Sequence, residues 1–142
     1  MRNLCTLLIL LTLPLAAQKK AIVPPEFAGG TANFSPGILV DGTLYVSGQV
    51  GQDLKTKQIP TDFETEVKTL LSNIGIVLKA AGMTYKDVVS VQVYLTDMDL
   101  FPKMNAVYVT FFPDPRPSRT TVGVTKLAAP AAHIEITVTA KK

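Results

Sequence analysis

The stretch 87-DVVSVQVYLT-96 decides the fold. Its side chains alternate: Val89, Val91, Val93 and Leu95 fall to one side, Ser90, Gln92, Tyr94 and Thr96 to the other. A period of two with one apolar side describes a strand buried on a single face. Neighbouring segments must supply the layer that covers it. Upstream, residues 61–81 read as a helix. Thr61 and Glu64 stand at capping-box spacing after Pro60, and Phe63, Val67, Leu70, Leu71, Ile74, Leu78 and Ala81 form one stripe. Gly82 supplies a left-handed stop. Downstream, a second helix runs from Asp99, which can cap it, to Phe112. Its buried side is Phe101, Met104, Val107, Tyr108 and Phe111, with Pro102 tolerated in the first turn.

Further out, 37-GILVDGTLYVSGQ-49 sets Asp41-Gly42 between two apolar runs, a strong hairpin signal. After 111-FFPDPRPSRTTVGV-124, whose prolines stiffen a short crossing, Thr120 to Val124 is a strand. In 132-AHIEITVTA-140, Ala132, Ile134, Ile136 and Val138 alternate with His133, Glu135, Thr137 and Thr139. The order β-β-α-β-α-β-β predicts a two-layer α+β domain, two helices on one face of a mixed sheet. The other face is semi-polar and is comfortable only when partly covered, which predicts a homo-oligomer.

The first residues lie outside this plan. In 1-MRNLCTLLILLTLPLAAQKK-20, Arg2 precedes an apolar run from Leu4 to Leu15, then small Ala16 and Ala17. That layout predicts a cleaved signal peptide over about 1–17, an exported protein and no stable membrane anchor. Residues 18–33 read as an irregular lead-in to the domain. Cys5 is the single cysteine, so residues 18–142 have neither a disulfide nor thiol chemistry. Of the 14 basic residues only Arg2 precedes Gln18, which leaves 13 against 11 acidic residues. So small an excess, with few aromatic residues, argues against nucleic acid as the partner. His133 is the single histidine, too little for a zinc site, so no metal is expected.

Over about residues 21–140 the chain resembles the RidA (YjgF) family of reactive-intermediate deaminases. LYVSGQVG, NIGIVLKAAGMTYKDVVSVQVYLTDM, FPKMNAVYVTFF, PSRTTVGV and HIEITVTA carry the resemblance in order and spacing. It implies a chorismate-mutase-like fold and a homotrimer with clefts between subunits. Those clefts would hydrolyse enamines and imines of 2-oxo acids to release ammonia, without metal or cofactor. It places the carboxylate-gripping arginine at Arg119, the acidic residue at Glu135, the asparagine at Asn105 and the strand-end glycine at Gly48. Two positions depart: a usual tyrosine is Phe34, so its hydroxyl is lost, and a frequent cysteine is Thr121.

The residues themselves leave alternatives open. Arginine matches a carboxylate bidentately and stays charged. By spacing alone Arg119 reads as a surface partner of Asp114 or Glu135; the resemblance makes it a ligand-binding group. Glu135 faces either solvent or a cleft, where a carboxylate can activate water. His133, two residues away, reads as a solvated strand residue. Asn105 supports a loop, Gly48 permits close approach or simply turns the chain, and Phe34 is a cleft wall or a core plug. The substrates implied arise in the cytosol, whereas the leader implies export. The alternative is therefore an exported, non-catalytic trimer that binds small carboxylates. A ribonuclease is the weakest reading.

Overall fold

The computed structural model describes residues 18–28 and 33–142. The expected leader, 1–17, lies outside the described residues. Six strands and two helices follow in order: β1 Lys20–Ile22, β2 Gly37–Val40, β3 Thr43–Val50, α1 Phe63–Ala80, β4 Val88–Leu95, α2 Phe101–Tyr108, β5 Ser118–Gly123 and β6 Ile134–Lys141. They build one mixed sheet in the order β1-β2-β3-β6-β4-β5 with both helices on one face, the expected two-layer α+β fold. Only β4 and β5 are parallel, joined through α2 as a parallel pair must be by a crossover. Asp41 and Gly42 take φ of 49° and 69°, the left-handed pair that a two-residue hairpin turn needs. Among the described residues no helix is long and apolar enough to cross a membrane.

The core lies between sheet and helices. Val67, Leu70, Leu71, Ile74, Val77 and Leu78 of α1 meet Leu44, Val91, Val93, Leu95, Ile134, Ile136 and Val138 from the central strands, all buried. Gly82, at φ +71°, ends α1 as expected.

Several local expectations are corrected. The lead-in is not wholly irregular: Lys20–Ile22 pairs antiparallel with β2 and buries Ile22. Three residues bounded by Pro24-Pro25 carry too little pattern to announce a strand. The cap of α1 is Asp62, whose carboxylate accepts from the Thr65 N–H at 2.8 Å and the Thr65 hydroxyl at 2.7 Å; Thr61 does not cap. The second helix is shorter than expected, preceded by a 3-10 turn over Met98–Leu100 that Asp97 caps instead of Asp99. Phe112, fully buried beyond its end, plugs the core in place of Phe111. In β4 the alternation slips. The register with β6 shifts between Val88 and Ser90, so Val89 is the extra residue of a bulge and points outward, while Val88 turns in.

Candidate active site

Glu135 lies on β6 opposite Tyr94 of β4 and Val50 of β3, on the sheet face away from the helices. The β3–β6 register shifts between Val46 and Gln49, so β3 carries one extra residue around Ser47-Gly48. The freed carbonyl of Ser47 accepts from the buried Gln49 amide at 3.1 Å. Within that bulge, a Cβ built on Gly48 would fall 1.9 Å from Glu135 Oε1. The carboxylate therefore occupies the space a side chain at residue 48 would fill, and here glycine is obligatory for the close approach. The Ser47 hydroxyl donates to the Ser35 carbonyl at 2.7 Å, and the Ser47 N–H to the Pro36 carbonyl at 3.0 Å. These bonds hold the segment bearing Phe34 beside β3. An open cleft of about 310 Å³ results, lined by Phe34, Gly48, Val50, Ala128, Ala129 and Glu135. Phe34, 56% exposed, is a cleft wall and not a core plug.

Arg119 is built differently. In the parallel β4–β5 pair it stands in register with Val91, and Thr121 with Val93. Residues paired in register share a face, and Val91 and Val93 point into the core, so Arg119 and Thr121 lie on the helix side of edge strand β5. There the guanidinium carbon stands 4.6 Å from the centre of the Tyr108 ring and 5.6 Å from that of Phe101. Such stacking contributes about 0.5–1 kcal/mol and orients the planar fork. Phe101, Asn105 and Tyr108 share one face of α2 through their three- and four-residue spacings. Asn105, half-buried, therefore shares that face with the rings that flank Arg119. Arg119 pairs with neither Asp114 nor Glu135. Asp114 takes Arg116 instead, at 2.8 Å.

The hydroxyls of Tyr108 and Thr121 are buried and without a partner among the described residues. Burial pushes the Tyr108 hydroxyl above its ordinary pKa, against the opposing pull of Arg119 and Arg116.

One chain thus carries the candidate residues in two groups on opposite faces of its sheet: Glu135, Gly48 and Phe34 on one, Arg119, Asn105 and Thr121 on the other. They do not meet within a single chain. His133 joins neither. It precedes β6 and turns towards α1, where its N–H donates to Glu66 Oε1 at 2.8 Å and its Nδ1 lies 2.8 Å from Glu66 Oε2. The ring is exposed to solvent as expected, but the residue stands just before the strand and is paired with Glu66. Two participants went unread in the sequence. Tyr108 stands three residues after Asn105, a helical spacing that was available as a signal. Glu66 had none, because its pairing spans 67 residues. Among the described residues no group of three or more His, Cys, Asp or Glu could hold a metal ion.

Residues 27–142 match the model of the family described as Endoribonuclease L-PSP. A RutC family protein of Sulfurisphaera tokodaii is 41% identical over 110 residues, 77% of this chain and 87% of that protein. The 2-iminobutanoate/2-iminopropanoate deaminase of Rattus norvegicus is 36% identical over 119 residues, 83% of this chain and 86% of that protein. The crystal structure of E. coli TdcF with bound serine superposes with a TM-score of 0.78 at 28% identity, covering 87% of this chain and 99% of that one.

Proposed function

The chain belongs to the Endoribonuclease L-PSP family, which takes in the RidA and RutC proteins, and from that premise we propose that it hydrolyses small imines and enamines of 2-oxo acids. The observation that carries the reading is Arg119. Its guanidinium is held on the Tyr108 ring, with no carboxylate partner among the described residues. A fork so held is ready for a ligand carboxylate, which it takes bidentately. The open sheet face exposes Tyr45 and Val122, and a second and third copy would cover it as a homotrimer. Across each seam the Arg119 half-site of one protomer would meet the Glu135 half-site of the next.

In that cleft Arg119 holds the substrate carboxylate beside a protonated imine. Glu135 orients a water and takes its proton as the oxygen bonds to the imine carbon. Glu135 passes that proton to nitrogen and then takes the hydroxyl proton as the carbonyl forms and the C–N bond breaks, so that ammonia and the 2-oxo acid leave. General-base help of this kind contributes on the order of 10²–10⁴-fold. Gly48 leaves the carboxylate room, and Phe34 and Thr121 close the walls. No cofactor is required by these steps. The reading also takes the protein to be exported and cleaved near Ala17, which would leave β1 whole.

The test generates 2-iminopropanoate in the presence of purified protein and follows ammonia release. Wild type is expected to accelerate release, with Glu135→Gln and Arg119→Ala inactive. Phe34, exposed in the cleft without a hydroxyl, favours a second reading: a protein that binds small carboxylates without turnover. Binding of pyruvate with no ammonia release from the imine would establish it.

A further inference from the structure

Glu66 is fully buried, and among the described residues it is the one buried carboxylate. It stands in the first turn of α1 and gives one oxygen to the His133 N–H and the other to the His133 ring. The strand end of β3 presses directly on it: a Cβ at Gly51 would come within 2.4 Å of both Glu66 Cγ and the Glu66 carbonyl oxygen. A buried carboxylate is tolerated only when its oxygens are bonded, and an apolar residue of similar volume is often as good or better for stability. Stability alone therefore does not account for the pair.

Its placement does. The His133 carbonyl accepts from the Thr96 N–H at 3.0 Å and the Thr96 hydroxyl at 3.3 Å. Phe63 meets the imidazole edge-on with ring centres 6.5 Å apart. Residue 133 is thus fixed through its N–H, its ring and its carbonyl. Two residues later comes Glu135, with fully buried Ile134 between them. On its β3 side the regular ladder reaches only from Glu135 to Ile136 before the Ser47-Gly48 bulge shifts it, so the β4 ladder and residue 133 carry most of the definition of this end of β6.

We propose that Glu66 and His133 form an anchor that sets the start of β6 and thereby the position of the Glu135 carboxylate. They are positioning residues, and their catalytic consequence rests on the hydrolase reading above. The anchor acts on the Glu135 half-site and leaves Arg119, on the opposite face, untouched.

The test uses Glu66→Leu, which fills the volume and removes both acceptors, Glu66→Gln as the conservative variant, and His133→Ala, which keeps the backbone bond. Each full-length protein is assayed for 2-iminopropanoate hydrolysis and for amide hydrogen exchange by NMR. Glu66→Leu is expected to lower kcat on the order of 10- to 100-fold, the scale of a displacement of about 1 Å, with KM unchanged. The Glu135 amide should exchange faster while those of β2 keep their protection. Glu66→Gln should restore both readouts, and His133→Ala, which serves if Glu66→Leu does not fold, should fall between. Wild-type kcat and exchange in Glu66→Leu or His133→Ala would overturn the anchor, as would loss of protection throughout the sheet. If wild type hydrolyses no imine, exchange decides alone. Local acceleration at Glu135 then supports the anchor and the imine reading fails by itself; unchanged exchange overturns the anchor.

Discussion

Gly48→Ala separates chemistry from stability. The added Cβ would stand 1.9 Å from Glu135 Oε1, 2.9 Å from Cδ and 3.2 Å from Cγ. To regain van der Waals separation the carboxylate must retreat by roughly 1.5 Å. The obstructing atoms are the end of a flexible side chain, so it can rotate away at a cost of about 0.5–1.5 kcal/mol for an unfavourable rotamer. Gly48 is outside the left-handed region, so alanine fits the backbone and gains about 0.4–1 kcal/mol through the unfolded chain. The two terms nearly cancel, and the urea midpoint should barely move. A catalytic group misplaced by about 1 Å loses on the order of 100-fold, so kcat should fall by about that factor. On the imine-hydrolase reading KM falls to Arg119, on the other face, and should stay constant. The assay generates 2-iminopropanoate in situ and follows ammonia, with urea unfolding of the same sample. Wild-type kcat in Gly48→Ala would refute the placement of Glu135; a collapsed urea midpoint would refute the claim that the side chain simply rotates.

Tyr108→Leu removes the ring beneath Arg119 and should raise KM about twofold to fivefold, the equivalent of 0.5–1 kcal/mol, while Tyr108→Phe leaves it unchanged. Phe34→Tyr should raise kcat and leave KM alone, since it adds a hydroxyl to the wall of the Glu135 cleft; steady-state kinetics of the imine reaction checks it. Burial pushes the Tyr85 hydroxyl up to about 12 in the folded chain, against about 10 unfolded. That group's stabilisation is complete below pH 10 and is lost as pH rises towards 12. Discounted for its partial exposure it amounts to on the order of 1–2 kcal/mol, to be read from urea midpoints between pH 8 and 12 against Tyr85→Phe.

The layers of the fold were legible because burial on one face writes a period into the sequence. The alternation of β6 survives in the structure, and the stripe of α1 is buried from Phe63 to Leu78, joined by Glu66, Asn73 and Val77, while Ala81 falls beyond the helix. What failed were features that add one residue to a pattern. The bulge at Val89 conserves composition and reverses which valine is buried. The cap of α1 moved by one residue because Asp62 and Thr61 both carry suitable oxygens, and only the path of the chain chooses between them. Gly48 and Glu135 were singled out through resemblance alone, and their contact depends on a bulge that no local signal announces. The Glu66–His133 pair joins a helix start to a strand start far along the chain and left no trace in spacing.

The opposite-face arrangement of Arg119 and Glu135 has a genetic corollary. If each working cleft draws its acid-binding group from one polypeptide and its water-activating group from another, two dead alleles can rescue each other. Arg119→Ala and Glu135→Gln chains refolded together at equal dose should regain activity at about a quarter of their seams, by random assortment. Either variant alone would stay silent.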